Sequence, residues 1–372
     1  MAKDIHKNSF DEGTQIKLHI LREYFKEWLP VFIHSNKTGE KIFVYDCFSG
    51  PGADTDGSDG SPLIILRELR TYCTQVRNKA LQIEVHFNDF DRDKIKMLHD
   101  NIERFKNTEC ESHCKSNCVY NVTVKNEDFN TLFTRAYSYI IKNTKSPQFL
   151  FFDQNGIKFV TEDLFHKITD LERCDFIFFI SSSYVRRFGD LPEFQKYLSV
   201  TGQSFVGESS RHCHRVIFEY YKSLIPQTKA YYLAPFSIKK GSNIYGLIYG
   251  SNHTLGIEKF LNVCWKINPQ TGDANFDIDD EKINTNQPSL FDDLNKSNKL
   301  KIFAAELNKK IINGILQTNK AVYLFAFDEG FLPKHANKVL SELIKDGTLE
   351  KNFEIKSSKI HKVIETPFSI KK

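Results

Sequence analysis

At 372 residues the chain is too long for one ordinary core, so one large domain with a smaller companion is the expectation. Its 40% hydrophobic and 26% charged residues are those of an ordinary soluble protein, and a net charge of +4 excludes a uniform polycation, so any nucleic-acid surface has to be a local patch. The polar start MAKDIHKNSFDEGTQ reads as no signal peptide, and no apolar run approaches the roughly 20 residues of a membrane helix, which points to the cytoplasm and no membrane partner. Eight Cys in such a chain read as thiols rather than a disulfide framework, and the 32 Phe mainly as core filling.

In chain order, Thr14 to Ile33 predicts a helix, because Leu18, Leu21, Phe25, Trp28, Leu29 and Phe32 fall at three- and four-residue spacing. Lys41 to Phe48 predicts a strand ending in a Gly-rich turn. Ser61 and Pro62 read as a cap and first position of a helix reaching Cys73. Strands follow at Leu81 to Asp89, Val119 to Lys125, Gln148 to Phe152 and Phe176 to Ile180. Helices lie between them at Arg92 to Phe105, Asn130 to Lys142 and Asp163 to Leu171. This alternation predicts an α/β fold, a parallel Rossmann-like sheet wound on both faces. Tyr231 to Pro235 and Tyr245 to Gly250 add strands, antiparallel at the far edge.

The strongest chemical signal is Asp46-Cys47-Phe48-Ser49-Gly50-Pro51-Gly52, directly after the first strand. Gly50 and Gly52 let the backbone approach a ligand without a Cβ clash. A dinucleotide fold wants three glycines opening straight into a helix, whereas here the helix waits until Ser61. With acidic Asp46 upstream, the loop fits S-adenosylmethionine, which has no pyrophosphate to cradle. Three acids at strand ends follow in order. Asp89 can accept both ribose hydroxyls, with Asp91 its nearby competitor. Asp128 can accept the adenine amino group while Phe129 packs on the ring. Asp153, in Phe152-Asp153-Gln154-Asn155-Gly156, stands where substrate chemistry lies. Asp153 and Asn155 would face the acceptor; Asp46, Phe48, Gly50, Gly52, Asp89, Asp128 and Phe129 would hold the cofactor.

These motifs resemble the three-Cys-motif partner family, TcmP, over nearly the full length. The match rests on Thr14-Gln15-Ile16-Lys17, Tyr45 to Gly52, Gly60-Ser61-Pro62-Leu63, Phe152 to Gly156 and the terminal winged helix. The resemblance implies a class I methyltransferase-type sheet and a three-Cys-motif protein encoded nearby as partner. More distantly the arrangement is similar to a ribosomal RNA adenine methyltransferase, and by that analogy Lys17 would pair the cofactor carboxylate. Adenine N6 enzymes carry Asp-Pro-Pro-Tyr-like sequences where Gln154 and Asn155 stand here. The base-stacking ring would then have to come from Phe159 or Tyr184.

Cys110, Cys114 and Cys118, with His113 among them, could make a zinc site, but three residues between each pair is not the usual spacing, and free loop thiols are the preferred reading. Arg186 and Arg187 could clamp a phosphate backbone, and Arg211, His212, His214 and Arg215 read as surface charges at a helix start. Asp273 to Asp293 reads as an exposed acidic linker. It ends in Gln287-Pro288-Ser289-Leu290-Phe291, which looks like a short clamp-docking peptide or a segment pinned to the main domain. The expected units are therefore 1–272, a linker 273–298 and a winged helix 299–372. The last has 14 Lys against 8 Asp and Glu. Val322 to Glu329 and a helix opened by Pro333 carry its apolar face, with Thr348 to Glu365 as the wing hairpin. Lys334, His335 and Lys338 would lead into a groove, and Lys356 and Lys359 would sit in the wing. The leading expectation is an adenosylmethionine-dependent methyltransferase acting on DNA or RNA. The rivals are a non-catalytic cofactor-binding scaffold or specificity subunit, and a metal-dependent enzyme using Asp153.

Overall fold

The computed structural model describes residues 9–111, 118–154, 156–283, 297–355 and 360–370. Helix α1 (Glu12–Ser35) is capped by Asp11, whose side chain accepts from Thr14 N–H, and it buries Leu18, Leu21, Tyr24, Phe25, Trp28 and Leu29. Then come β1 (Lys41–Asp46), α2 (Ser61–Arg70), β2 (Gln82–Asn88), α3 (Arg92–Glu109), β3 (Tyr120–Lys125), α4 (Phe129–Ile140), β4 (Gln148–Phe152), α5 (Glu162–Thr169) and β5 (Cys174–Ile180). Next are α6 (Ser182–Phe188), α7 (Cys213–Ser223), the hairpin β6 (Tyr232–Lys240) and β7 (Asn243–Ser251), and α8 (Thr254–Ile267). Helix α2 starts one residue earlier than its sequence suggests. Its cap is Gly60, because the Gly60 N–H donates to Gly52 O at 2.7 Å and draws the helix end against the glycine loop.

The seven strands run β3-β2-β1-β4-β5-β7-β6. β1 to β5 are parallel, and β7 is antiparallel to both its neighbours, as the sequence suggested. This is the expected α/β sheet, parallel with an antiparallel far edge. Its order reverses between β1 and β4, so the carboxyl ends of those two strands open a crevice there, the place where such sheets bind ligands. Both faces are covered, and the central strands are accordingly buried almost throughout and mostly apolar. Ile42, Val44, Phe149 and Phe151 face one core, while Phe43, Tyr45, Phe152, Phe176 and Phe178 face the other, which is where many of the phenylalanines go.

The tail is a winged helix-turn-helix: α9 (Asn298–Ile312), α10 (Asn319–Asp328) and α11 (Pro333–Lys345). The segment from Thr348 to Glu365 differs from the expected hairpin. Among the described residues it forms no ladder, only a bridge from Leu349 to Ile370, beside one from Thr318 to Pro367. Phe353, Ile360 and Val363 are buried but do not alternate at a strand's period of two, and the wing is held by their packing together with single backbone bonds such as Glu350 N–H to Ser369 O at 3.0 Å.

The acidic stretch also departs from expectation in its first residues. Asp273, Ala274 and Ile278 are buried. Asp273 takes Arg215 Nε at 2.9 Å and Lys299 Nζ at 3.2 Å, and Asp279 takes Arg215 Nη1 at 2.5 Å. Burial alone would push the Asp273 carboxyl up, yet Lys299 and Arg215 outweigh it and hold it down at about 2. Arg215 is therefore a half-buried ion-pair hub and not a free surface charge. Residues 284–296, including Gln287 to Phe291, lie outside the described residues. The winged helix shares the core of the sheet domain. Trp265 of α8 donates Nε1–H to Gly330 O at 3.0 Å and packs on Phe331 and His335.

Candidate functional site

The β1 loop is built from backbone bonds to the end of β2. Ser49 N–H donates to Asn88 O at 2.8 Å, and Gly50 N–H donates to Asp89 Oδ2 at 2.9 Å. Gly50 and Gly52 sit at φ +60° and +85°, a conformation open to glycine at no steric cost. A Cβ on Gly52 would come within 2.8 Å of Leu98, so this glycine also serves close packing of the loop on α3. Asp89 accepts a second bond from Asp91 N–H at 2.9 Å and so carries the loop; an ionised carboxylate keeps further lone pairs for a ligand. Asp91 is the α3 cap. Asp128 caps α4, accepting from Asn130 and Thr131 N–H, and is exposed.

Asp46 is wholly buried at the end of β1. Its Oδ1 accepts from Phe48 N–H at 3.3 Å, and its Oδ2 has no hydrogen-bond partner among the described residues. Burial pushes its carboxyl up to about 7; the Ser61 hydroxyl and Phe48 N–H pull against this, while Asp153 and Asp89 add repulsion. Phe48 stacks on Phe129, with centroids at 4.9 Å, and both pack on Phe159. Phe129 is only 2% exposed, so it forms the floor under Phe48 and Phe159, whose rings are half-buried.

Lys17 reaches from α1 into the same end of the sheet. Its buried ammonium pairs with the Asp153 carboxylate and lies 4.9 Å from the centre of the Phe179 ring. The sequence did not foresee this pairing of Lys17 with the substrate-side acid. Gln154 is fixed by its Oε1, which accepts from Phe159 N–H at 3.0 Å and Val160 N–H at 3.3 Å. Asn155 lies outside the described residues. Beside Asp153 opens a cavity of about 110 Å³ lined by Lys17, Asp153, Gln154, Phe179, Ile238 and Tyr245, among others. Phe179 and Tyr245 are stacked, with centroids at 5.5 Å and planes 15° apart. The rings beside the acid thus come from β5 and β7. Phe159 belongs to the Phe48 cluster, and Tyr184 packs on Phe188 and Phe194. The sequence reading also passed over Phe90, which is 77% exposed right after Asp89. A bulky apolar residue following a strand-ending acid in a turn was the available signal.

Other expectations sort more simply. Arg187 donates to Asn243 Oδ1 at 2.7 Å, and Arg186 reaches Glu208 O at 3.5 Å. His214 is buried between Ser182 Oγ and Leu247 O, and burial pushes it down to about 4, so it is a core residue. Cys110 is half-buried and Cys118 exposed; Cys114 lies outside the described residues, and no cluster of three metal-ligating side chains occurs among those described. Lys334 and Lys338 are exposed on α11. His335 is not on that face: it is buried against Trp265, its Nδ1 accepts from Leu332 N–H at 3.1 Å, and burial beside Lys334, Lys338 and Lys299 pushes it down to about 3. The α11 apolar face is wide enough to take it in. Lys356 and Lys359 lie outside the described residues.

No helix among the described residues is long and apolar enough to cross a membrane. Residues 277–354 match the family model of a GMT-like wHTH domain. None of the curated proteins matches the chain in sequence. Among solved structures, Trm1 from Pyrococcus horikoshii in complex with S-adenosyl-L-methionine is similar at 11% identity and a TM-score of 0.36, over 72% of this chain and 62% of that one. The chain thus spans less than two thirds of that protein. A human methyltransferase 10 domain containing protein is similar at 10% identity and a TM-score of 0.29, over 63% of this chain and 82% of that one.

Proposed function

We propose that the chain is an adenosylmethionine-dependent methyltransferase that acts on nucleic acid. The observation that carries this is the wholly buried Asp46 carboxylate beside a left-handed glycine loop at the sheet's reversal point. A buried carboxylate near two other acids is costly, and a ligand donor or cation would relieve it. Asp46 and the Gly50 to Gly52 backbone would hold the amino-acid end, Asp89 the ribose, and Phe90 and Phe48 would offer flat faces to the adenine, with Asp128 at its edge and Phe129 beneath. Adenosylmethionine, when bound, supplies an electrophilic methyl group. Lys17 keeps Asp153 oriented, and Asp153 accepts a hydrogen bond from the acceptor group, so the protein's part is positioning. The sequence resemblance supports a three-Cys-motif protein as partner.

Calorimetry should show binding of adenosylmethionine or its demethylated product coupled to proton release. At pH 6 the Asp46 carboxyl, with its value near 7, is mostly protonated, and a bound cation would draw the proton off. Heats measured in two buffers should show up to about one proton released at pH 6 and none above about pH 8. Asp46→Asn should abolish the coupling. Absence of binding by the wild type sinks the reading.

The exposed Lys334 and Lys338 support nucleic-acid binding by the winged helix. Changing both to Gln should weaken binding to all sequences alike and reduce the slope of log affinity against log salt by about 2. An unchanged slope in anisotropy titrations would assign this face to protein contact instead.

A further inference from the structure

Another cavity, of about 330 Å³, has the size of a small-molecule site. Arg173 and Asp175 line it at the start of β5, and Ser35 at the end of α1, so it lies by the amino ends of the parallel strands, away from the crevice at their carboxyl ends. Trp28 and the half-buried Phe32 give it aromatic walls. Asp175 is its floor, 8% exposed, and its Oδ2 accepts from the Tyr24 hydroxyl at 2.6 Å. Burial pushes this carboxyl up to about 6, and hydrogen bonds from Ser251, Tyr24, Tyr249 and Trp28 pull against this, so it is mostly ionised at pH 7. The cations stand around it. Arg173 is exposed at φ +45°, an uncommon conformation outside glycine. Its guanidinium lies 5.6 Å from the centre of the Phe32 ring while Nη1 donates to Lys145 O, and its other N–H groups can serve a ligand. Burial and Arg173 push His253 down, so it is neutral at pH 7; its Nδ1 accepts from Leu255 N–H at 3.1 Å, which leaves Nε2–H as a donor. Lys259, paired with Glu27 at 2.7 Å, adds a cation from α8, and His361 of the wing lies with its ring 5.3 Å from that of His253.

We propose that this cavity binds a mononucleotide unit, with its base against the Trp28 and Phe32 walls, a base N–H donating to Asp175, and its phosphate on Arg173 and His253. The lining asks for an anion, a flat ring and a donor at once, with the anion held away from the donor. A bare phosphate would answer Arg173 but leave the rings unused and crowd a second anion against Asp175. An aromatic acid would satisfy the rings and Arg173 but offers Asp175 no donor, and a nucleoside brings no anion. A nucleobase has a flat face for the aromatic walls and N–H groups on its edge, and the sugar keeps the phosphate clear of that edge. A guanidinium held on a ring face is suited to phosphate. The site is separate from the Asp46 crevice and does not depend on the reaction proposed for it.

The test is calorimetry of the full chain with the monophosphates of adenosine, cytidine, guanosine and uridine, each with the demethylated cofactor product in excess so that the crevice is occupied. At least one monophosphate should bind about tenfold or more tighter than its own nucleoside and than inorganic phosphate, as expected for a hydrogen-bonded charge. Arg173→Gln changes an exposed side chain and should bring that monophosphate to within about twofold of the nucleoside, while binding of the demethylated product stays unchanged. Arg173→Lys keeps the charge without the fork and should fall between the two. A trinucleotide with a 5′-phosphate that competes as well as the monophosphate makes the occupant a strand end; one that does not makes it the free nucleotide. Absence of monophosphate binding by the wild type overturns the proposal. So does binding that the demethylated product displaces, which would place the nucleotide in the crevice, or binding that Arg173→Gln leaves unchanged.

Discussion

Asp273→Asn should destabilise the chain by about 3–5 kcal/mol, the cost of breaking a buried ion pair from one side. Asp273 is 5% exposed and is the shared partner of Arg215 on α7 and Lys299 on α9. Without its charge Lys299 loses its carboxylate partner and Arg215 is left with Asp279 alone. The pH dependence follows from the sign of the shift. A carboxyl held at about 2 when folded contributes stability that is present above the unfolded value near 3.9 and lost as pH falls through about 2. The gap between wild type and variant should therefore be full at pH 7 and shrink between about pH 4 and 2. Urea denaturation at a series of pH values measures it. A variant within about 1 kcal/mol of wild type at pH 7 would mean that the cluster behaves as a solvated surface pair.

Lys17→Met should be nearly as severe, and its effect reaches function. The Lys17 side chain is 5% exposed and that of Asp153 19% exposed. Methionine keeps most of the stem's packing and removes the charge, leaving the Asp153 carboxylate without its cation near the buried Asp46. We expect about 3 kcal/mol of lost stability. Incorporation of labelled methyl groups into total nucleic acid should fall about 100-fold, in line with removing one oriented charge from a reacting site. A double-mutant cycle with Asp153→Asn separates pairing from packing. Coupling of about 1–3 kcal/mol is expected, and coupling near zero would place the two residues in independent roles.

Most of the fold was legible because its signals are local. Apolar runs ending in Asp46, Asp89 and Asp153 mark strands, and the Ser61-Pro62 pair marks a helix start within one residue. What could not be read depends on partners far apart in the chain. Lys17 meets Asp153 across 136 residues, and Arg215 meets Asp273 across 58. A basic residue on a helix looks the same whether it faces water or a buried acid, so Arg215 and His214 passed for surface charges. Gln154 carried no signal because its orientation is set by the Phe159 and Val160 N–H groups of a turn that has no motif. Phe179 and Tyr245 were visible only as strand residues, since their stacking arises from β5 and β7 being neighbours in the sheet. The wing was read as a hairpin over Thr348 to Glu365, but the apolar residues of that stretch do not keep a strand's period of two.

The core shared by α8, α10 and α11 makes the molecule a ruler. Trp265 is wedged against Phe331 and His335 while its indole holds Gly330, and Lys299, tied to Asp273 and so to Arg215, braces the same rings. A tethered module would let the reacting crevice sample many positions along a strand. Here the span from the Lys334 and Lys338 face to the cavity at Asp153 is set by packing, so under the proposed function a docked nucleic acid would present its target at one fixed separation from the point of grip. Loosening the brace at Asp273 would then blur where along the strand the mark is placed before it abolished marking.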